Sequence, residues 1–276
     1  MATNTAPPAG VLAAFGVAGA SPMPLPGGQG GTWRADGLIL KPVDYLPETL
    51  WRADALDSLR GPDGFRVARP VRTQAGGWVA GGWEATRLVA GATDVSRPDD
   101  AIRAGIAFHA AVADLPRPAF LDERDNPWSY GDRVAWDELP DRAGPAAARL
   151  LRPLIEARGP VALAPQAVHG DLAGNVLFAD GLPPAVIDWP VYWRPPAWAY
   201  AVAVADALCW YGASPGLARR WEHLPCWGQM LVRALIYRIA TDEAAHPATA
   251  GDGGRGPEHY AAYRPAVSLA LRYARY

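Results

Sequence analysis

The stretch Val168-His169-Gly170-Asp171-Leu172-Ala173-Gly174-Asn175-Val176-Leu177-Phe178, with Val186-Ile187-Asp188-Trp189 after it, decides how this chain is read. It sets an aspartate, an asparagine four residues on and a second aspartate on two short apolar strands joined by a turn. Phosphoryl transfer from a nucleotide requires this set of groups. Asp171 would orient and deprotonate a hydroxyl, while Asn175 and Asp188 would hold Mg²⁺ on the phosphates.

A second feature supports the first. Of 26 basic side chains, 25 are arginine, and the only lysine is Lys41, in the strand-like run Leu38-Ile39-Leu40-Lys41-Pro42-Val43. The abundance of Ala, Gly, Pro and Arg points to a GC-biased coding sequence, in which surface lysine is readily replaced by arginine. A lysine retained against that bias marks a place where a compact ammonium fits and a forked guanidinium does not. One leftover surface lysine is the plain alternative. Beside the Asp/Asn/Asp set, the functional reading is preferred.

The 276 residues suffice for a full core, in one domain or two lobes. A net charge of -2 gives no electrostatic case for a nucleic-acid partner. Cys209 and Cys226 are too few for a disulfide framework or a zinc site. The N-terminus lacks a basic leader, and the run from Val11 to Ala20 is too short to span a bilayer. No membrane association and a reduced cytoplasmic location are expected.

Outward from the motif, the chain divides in character. Residues 1–92 read as a mixed, strand-rich lobe, and residues 93–276 as a helical lobe, with the change near Gly91–Arg97. In the first part a short helix is expected near Val11–Val17. A glycine-rich turn then leads into a strand at Trp33, Asp36-Gly37 forms a tight hairpin turn, and Leu38–Val43 is the next strand. Glu48–Leu59 reads as a helix, with Leu50, Ala53, Leu56 and Leu59 about three residues apart. Phe65–Thr73 and Trp78–Val89 read as two further strands. In the second part, helices are expected over 101–113, 142–157, 197–211, 228–245 and 259–275, with a long polar loop from Pro116 to Trp128.

Gly27-Gly28-Gln29-Gly30-Gly31 has two functional readings, a P-loop or a lid whose backbone N–H groups cover nucleotide phosphates. Spacing excludes the P-loop, since Lys41 lies ten residues beyond Gly31 rather than next to the last glycine. A lid with the lysine on a later strand is the kinase arrangement. An ordinary glycine-rich turn is the structural alternative. Lys41 needs an anionic partner to hold it against the phosphates. Glu48, at the start of the helix where a carboxylate also suits the dipole, is preferred over Asp54. His169 reads as structural within the catalytic loop, and His109 as a core histidine.

Together these residues resemble the aminoglycoside phosphotransferase (APH) branch of the protein-kinase-like superfamily, and more closely actinobacterial APH-like proteins of undefined substrate. The resemblance covers nearly the whole chain: the Gly27–Gly31 loop, Lys41, the Trp83–Gly91 segment, His169-Gly170-Asp171 with Asn175, and Ile187-Asp188. It implies an α+β, two-lobed fold with a small antiparallel-sheet lobe, a larger helical lobe, and ATP (or GTP) with Mg²⁺ in the cleft. It also implies Asp171 as catalytic base, Asn175 and Asp188 as metal ligands and Lys41 on the phosphates. Two departures stand out. Asp171 to Asn175 is four steps where the family has five, and Trp189-Pro190 replaces the Phe-Gly of protein kinases.

The acceptor is expected to be a hydroxylated small molecule. Gly170 stands where protein kinases carry an arginine that reads a phosphorylated activation loop. The segment from Trp189 to Pro196 is too short for a protein-substrate platform. Many aromatics follow Asp188, and core packing is their default role. Trp193 and Arg194, near Asp188, are the ones expected to face substrate. Leu172, Ala173, Trp189, Tyr192 and Trp193 suggest an apolar or aromatic lining, better suited to a neutral alcohol than to a polycation. The acidic run Asp122-Glu123-Arg124-Asp125 is the feature that would reverse this. Two alternatives remain: a nucleotide-binding APH-like pseudokinase with a regulatory or scaffold role, and a regulatory protein kinase.

Overall fold

A computed structural model describes residues 5–25, 31–59, 61, 64–246 and 256–275. The chain folds as two compact units, Met1–Thr93 with Val176–Val191, and Asp94–Asn175 with Tyr192–Tyr276. Among the described residues no helix is long and apolar enough to cross a membrane.

The first unit is built on a five-stranded antiparallel sheet in the spatial order Met23–Pro24, Trp33–Ala35, Leu38–Pro42, Trp83–Arg87, Val79–Ala80. The Asp36-Gly37 turn forms as expected, with φ of 43° and 78°. Both residues are left-handed, which matches the twist of the flanking strands. Period-two alternation sorts the faces. Trp33, Ala35, Leu38, Leu40, Trp83 and Ala85 are buried against Val11, Leu12 and Phe15, the first two of which lie on the helix Ala9–Ala14. Lys41 and Glu84 sit opposite each other in register, one residue out of phase with that core. The helix Leu46–Ser58 carries Pro47 in its first turn, where a missing N–H costs nothing.

Two strand expectations change. Trp78–Val89 is not one strand, because Gly81 and Gly82, with φ of 56° and 77°, turn the chain between Val79–Ala80 and Trp83–Arg87. Phe65–Thr73 yields only Arg66–Val67 as a strand, with an isolated bridge from Pro70 to Thr86; proline cannot sustain a ladder there.

A second sheet in this unit orders Arg66–Val67, Leu182–Val186, Val176–Ala179 and Ala92–Thr93. It revises the expected domain limits. The hairpin after Asn175 hydrogen-bonds to strands from the N-terminal part, so Val176–Val191 belongs with the first unit rather than with all of 93–276. Gly91, at φ 133°, permits the closeness: a Cβ there would lie 2.9 Å from the Phe178 carbonyl oxygen.

The second unit is helical. Pro98–Ala111, Pro127–Ala135, Pro145–Glu156, Pro196–Trp210, Trp227–Ala245 and Tyr263–Tyr273 are its main helices, with the short helices Phe120–Glu123 and Gly216–Arg220. Gln166–His169 pairs in a two-stranded ribbon with the strand Val191–Arg194, of which Tyr192–Arg194 belong to this unit. Small residues let the Ala/Val-rich Pro196–Trp210 pack on all sides, and Ala197–Ala207 is buried without a break.

The expected polar loop Pro116–Trp128 instead contains Phe120–Glu123 and leads into Pro127–Ala135. A capping box starts that helix, in which Asn126 Oδ1 accepts from Ser129 N–H and Ser129 Oγ accepts from Asn126 N–H. Gly131 lets it lie against Trp227–Ala245, since a Cβ would meet the Tyr237 carbonyl oxygen at 2.6 Å. Prolines and acidic residues suggested a loop over Pro116–Trp128, whereas here Pro127 occupies the first turn of a helix, where its missing N–H costs nothing, and Gly131 further along admits a neighbouring backbone.

Candidate functional site

In the first unit, the sole lysine pairs with the second aspartate of the motif: Lys41 Nζ donates to Asp188 Oδ1. Asp188 has φ of 51°, a left-handed backbone that aspartate tolerates better than most residues. Trp189, next along the chain, is 2 % exposed and packs edge-on to Trp51 at 5.5 Å. Glu48 reaches the same segment, its Oε1 accepting the Val191 N–H at 2.8 Å. The contact the structure gives Lys41 is thus with Asp188, and Glu48 holds the chain that carries Asp188. Asp54, the alternative partner, accepts from Trp78 Nε1 at 2.7 Å.

Arg52 was not anticipated. It donates to Glu84 Oε1 at 2.6 Å and to the Trp189 carbonyl oxygen at 3.4 Å. Burial opposes its charge, but Glu84, then Glu48 and, least, Asp188 raise its pKa above the usual arginine value. Its place four residues after Glu48, on the same helical face, was the available signal. Gly27, Gly28, Gln29 and Gly30 lie outside the described residues. The segment's ends are joined by Leu25 N–H to the Thr32 carbonyl oxygen at 2.9 Å, and Gly31 sits beside Pro42, where a Cβ would be 3.3 Å from Cδ.

In the second unit, buried histidines hold the loop that carries Asp171. His109 Nε2 accepts the His169 N–H at 2.8 Å, and its Nδ1 faces the Tyr200 hydroxyl at 3.0 Å. Nε2 therefore carries no proton, and Nδ1 donates to Tyr200. Burial, with a smaller contribution from His169, pushes the His109 pKa down to about 3. His169 Nδ1 in turn accepts the Asp171 N–H at 3.1 Å. Both histidines have the structural roles expected of them. Gly170 admits Tyr192, whose ring atoms would lie 2.3 Å from a Cβ at that position. Leu172 is fully buried beneath Gly105, where a Cβ would meet its Cδ1 at 2.5 Å.

The shortened loop closes on itself. Asn175 Nδ2 donates to the Asp171 carbonyl oxygen at 2.7 Å and to Asp171 Oδ2 at 3.0 Å. Two acceptors on the nitrogen fix the amide's orientation and turn its oxygen away from Asp171. Asp171 Oδ1 accepts from Arg238 Nη2 at 2.6 Å. Arg238 also grips Asp206, whose pKa burial pushes up to about 6 against the opposing pull of the guanidinium. Neither Asp206 nor Arg238 was singled out from sequence. A lone aspartate in an Ala/Val helix and an arginine in an apolar helix were the signals.

The substrate-facing residues come out differently. Arg194 forms a two-point ion pair with Asp132 at 2.9 and 2.8 Å, contacts Glu138 at 2.8 Å and lies over Trp136. Its guanidinium is committed to the unit's own carboxylates rather than offered to an acceptor. Trp193 is half-buried. Leu172, Trp189 and Tyr192 are core residues at 2 % exposure or less, so they do not line a site. Asp122 pairs with Arg117 at 2.6 and 2.8 Å, which holds its carboxyl below the usual range.

The sequence matches no protein-family model and no curated protein. Solved structures do resemble it. An aminoglycoside phosphotransferase from Alicyclobacillus acidocaldarius subsp. acidocaldarius DSM 446 is 16% identical, with a TM-score of 0.64 over 98% of this chain and 96% of that one. The spectinomycin phosphotransferase APH(9)-Ia, solved with ADP and spectinomycin, is 12% identical, with a TM-score of 0.55 over 92% and 93%. The choline kinase LicA from Streptococcus pneumoniae is 12% identical, with a TM-score of 0.53 over 91% and 93%. This α+β chain, with its antiparallel sheet in the N-terminal part and helices in the C-terminal part, has the kinase-like fold of these small-molecule phosphotransferases.

Proposed function

We propose that this chain is an ATP/Mg²⁺-dependent O-phosphotransferase acting on a hydroxylated small molecule. The observation that carries the reading is the pairing of the only lysine with Asp188, in a fold shared with phosphotransferases. The donor set fits magnesium. Asn175 offers an amide oxygen and Asp188 a carboxylate, both hard oxygen ligands. Among the described residues no group of three or more His, Cys, Asp or Glu forms a metal site of its own. Mg²⁺ commonly takes one or two protein oxygens and completes its shell with phosphates and water. Bound ATP (or GTP) would supply the transferable phosphoryl group.

The chain's own residues then have defined tasks. Lys41 neutralises phosphate charge, and Gly27–Gly31 covers the phosphates with backbone N–H groups. Glu48 holds the segment bearing Asp188. Asp171 orients the acceptor hydroxyl and takes its proton at Oδ2. Nucleic acid and membrane are not among the proposed partners, and a cytoplasmic location belongs to the same proposal.

A nucleotide-binding protein without transfer is the second reading. It draws on the shortened loop and on an Asp171 carboxylate bonded at both oxygens. Phosphate release from MgATP separates the two. Asp171→Ala should lower turnover about 10²–10⁴-fold with nucleotide affinity nearly intact, whereas Asp188→Ala should weaken Mg-nucleotide binding. Equal loss of binding in both variants would show that the roles are misassigned. Binding without Asp171-dependent release, with water or any of a panel of hydroxylated metabolites and antibiotics, would favour the second reading.

A further inference from the structure

Arg238 lies on Trp227–Ala245 and joins two carboxylates from other elements. Nε donates to Asp206 Oδ1 at 2.7 Å, and Nη2 to Asp206 Oδ2 at 2.5 Å. The same Nη2 donates to Asp171 Oδ1 at 2.6 Å. The arginine side chain is 10% exposed and that of Asp206 2%, while that of Asp171 is 42% exposed. A buried bidentate pair is complete with Asp206 alone. The third bond runs outward, to a carboxylate that solvent already reaches.

We propose that Arg238, held in place by Asp206, is the positioning residue for the base Asp171. It occupies Oδ1, so that Oδ2 is the oxygen presented to the acceptor hydroxyl. The inference rests on the transferase reading above. Geometry makes the fork directional. The guanidinium is planar, and its Nε and Nη2 edge is fixed by Asp206, so the second N–H of Nη2 can point only one way. It lies near the rings of Tyr237, at 5.0 Å, and Trp210, at 5.8 Å, which limit its movement. Asn175 Nδ2 adds one bond to Oδ2 at 3.0 Å and leaves that oxygen a second lone pair. Together these contacts remove the rotations by which Asp171 would swing away from a bound hydroxyl. The arginine also offsets repulsion between two carboxylates that share it. One guanidinium on helix Trp227–Ala245 thus ties helix Pro196–Trp210 to the catalytic loop.

The test uses the full-length protein as wild type, Arg238→Gln, Arg238→Lys and Asp206→Asn. Four readouts are taken: phosphate release from MgATP with water as acceptor, the MgADP dissociation constant by calorimetry, the thermal midpoint, and the carboxylate stretch of Asp171. The last comes from infrared difference spectra against Asp171→Asn in the same background, and needs no turnover. Arg238→Gln should lower turnover by about 10²-fold, the scale of a misplaced reacting group, with MgADP affinity changed less than about twofold. Arg238→Lys and Asp206→Asn should fall between it and wild type, and the Asp171 band should move in Arg238→Gln. If Arg238→Gln does not fold, Arg238→Lys, which keeps the charge, decides by the same band and turnover. Wild-type turnover in a folded Arg238 variant, an unmoved band, or parallel losses of turnover and MgADP binding would each overturn the inference. If wild type shows no Asp171-dependent transfer to water or to any of the hydroxylated acceptors, the transferase reading fails and this inference with it. Active wild type with an indifferent Arg238→Gln refutes the inference alone.

Discussion

Acidification should weaken this protein through His109, and the sign and size follow from its surroundings. His109 is 1 % exposed, its Nε2 accepts the His169 N–H, and its pKa is pushed down to about 3. In the unfolded chain a histidine titrates near 6.5. Between these values the unfolded state binds a proton that the folded state refuses. The stabilising contribution is therefore fully present above about pH 6.5 and is lost as pH falls towards 3. At about 1.4 kcal/mol per pH unit, the loss at pH 5 is roughly 2 kcal/mol. Protonation would also set a new N–H against the His169 N–H, loosening the backbone that leads to Asp171.

Asp206 acts in the opposite direction. Its pKa, raised to about 6, makes the folded state the better proton binder below that value, so stability rises as pH falls from 6 to the usual carboxylate range. Asp94, Asp99 and Asp122, all lowered, matter only below about 3.8. The histidine effect must therefore be read as a difference. Urea unfolding followed by tryptophan fluorescence at pH 7.5, 6.0 and 5.0 should be compared for wild type and His109→Gln, whose side chain cannot be protonated. The gap between the two proteins should change by about 2 kcal/mol between pH 7.5 and 5.0, to the detriment of wild type. Parallel pH dependences would refute the argument.

Gly170→Ala would drive a methyl group into the ring of Tyr192, which Trp198 and the Tyr237 hydroxyl hold in place. A loss of about 1–3 kcal/mol in urea unfolding is expected, shrinking in a Tyr192→Leu background, and an equal loss in both backgrounds would count against a steric cause. Lys41→Arg should not retain MgATP affinity or turnover, because the wider guanidinium would displace the phosphates, and a fully active variant would contradict the reading of the lone lysine. Kanamycin-type polycations should be poor acceptors in a phosphate-transfer assay, since Asp122, Asp132 and Asp206 are already matched by Arg117, Arg194 and Arg238. Efficient Asp171-dependent phosphorylation of kanamycin would overturn that expectation and direct attention to Glu123 and Asp125.

By itself the sequence determined the elements whose signals are local. The αL turn at Asp36-Gly37, the alternation that buries Leu38 and Leu40 but not Lys41, and the change to helical periodicity near residue 98 each depend on a few adjacent residues. So does the closeness of Asp171 and Asn175, because the two share one short loop and bond within it. Tertiary structure decided what depends on partners distant in sequence. Arg238 reaches Asp171 across 67 residues, and Lys41 meets Asp188 across 147. Val176–Val191 joined the first unit because its strands found their ladder partners at Arg66–Val67 and Ala92–Thr93. Trp189 and Tyr192 look like pocket lining when only their neighbours in sequence are considered, yet both are buried core. The physical reason is the same throughout. Turn type and period are written in local backbone preference, whereas a charge's partner and an aromatic's burial are settled only when separate segments pack and must satisfy the polar groups they enclose.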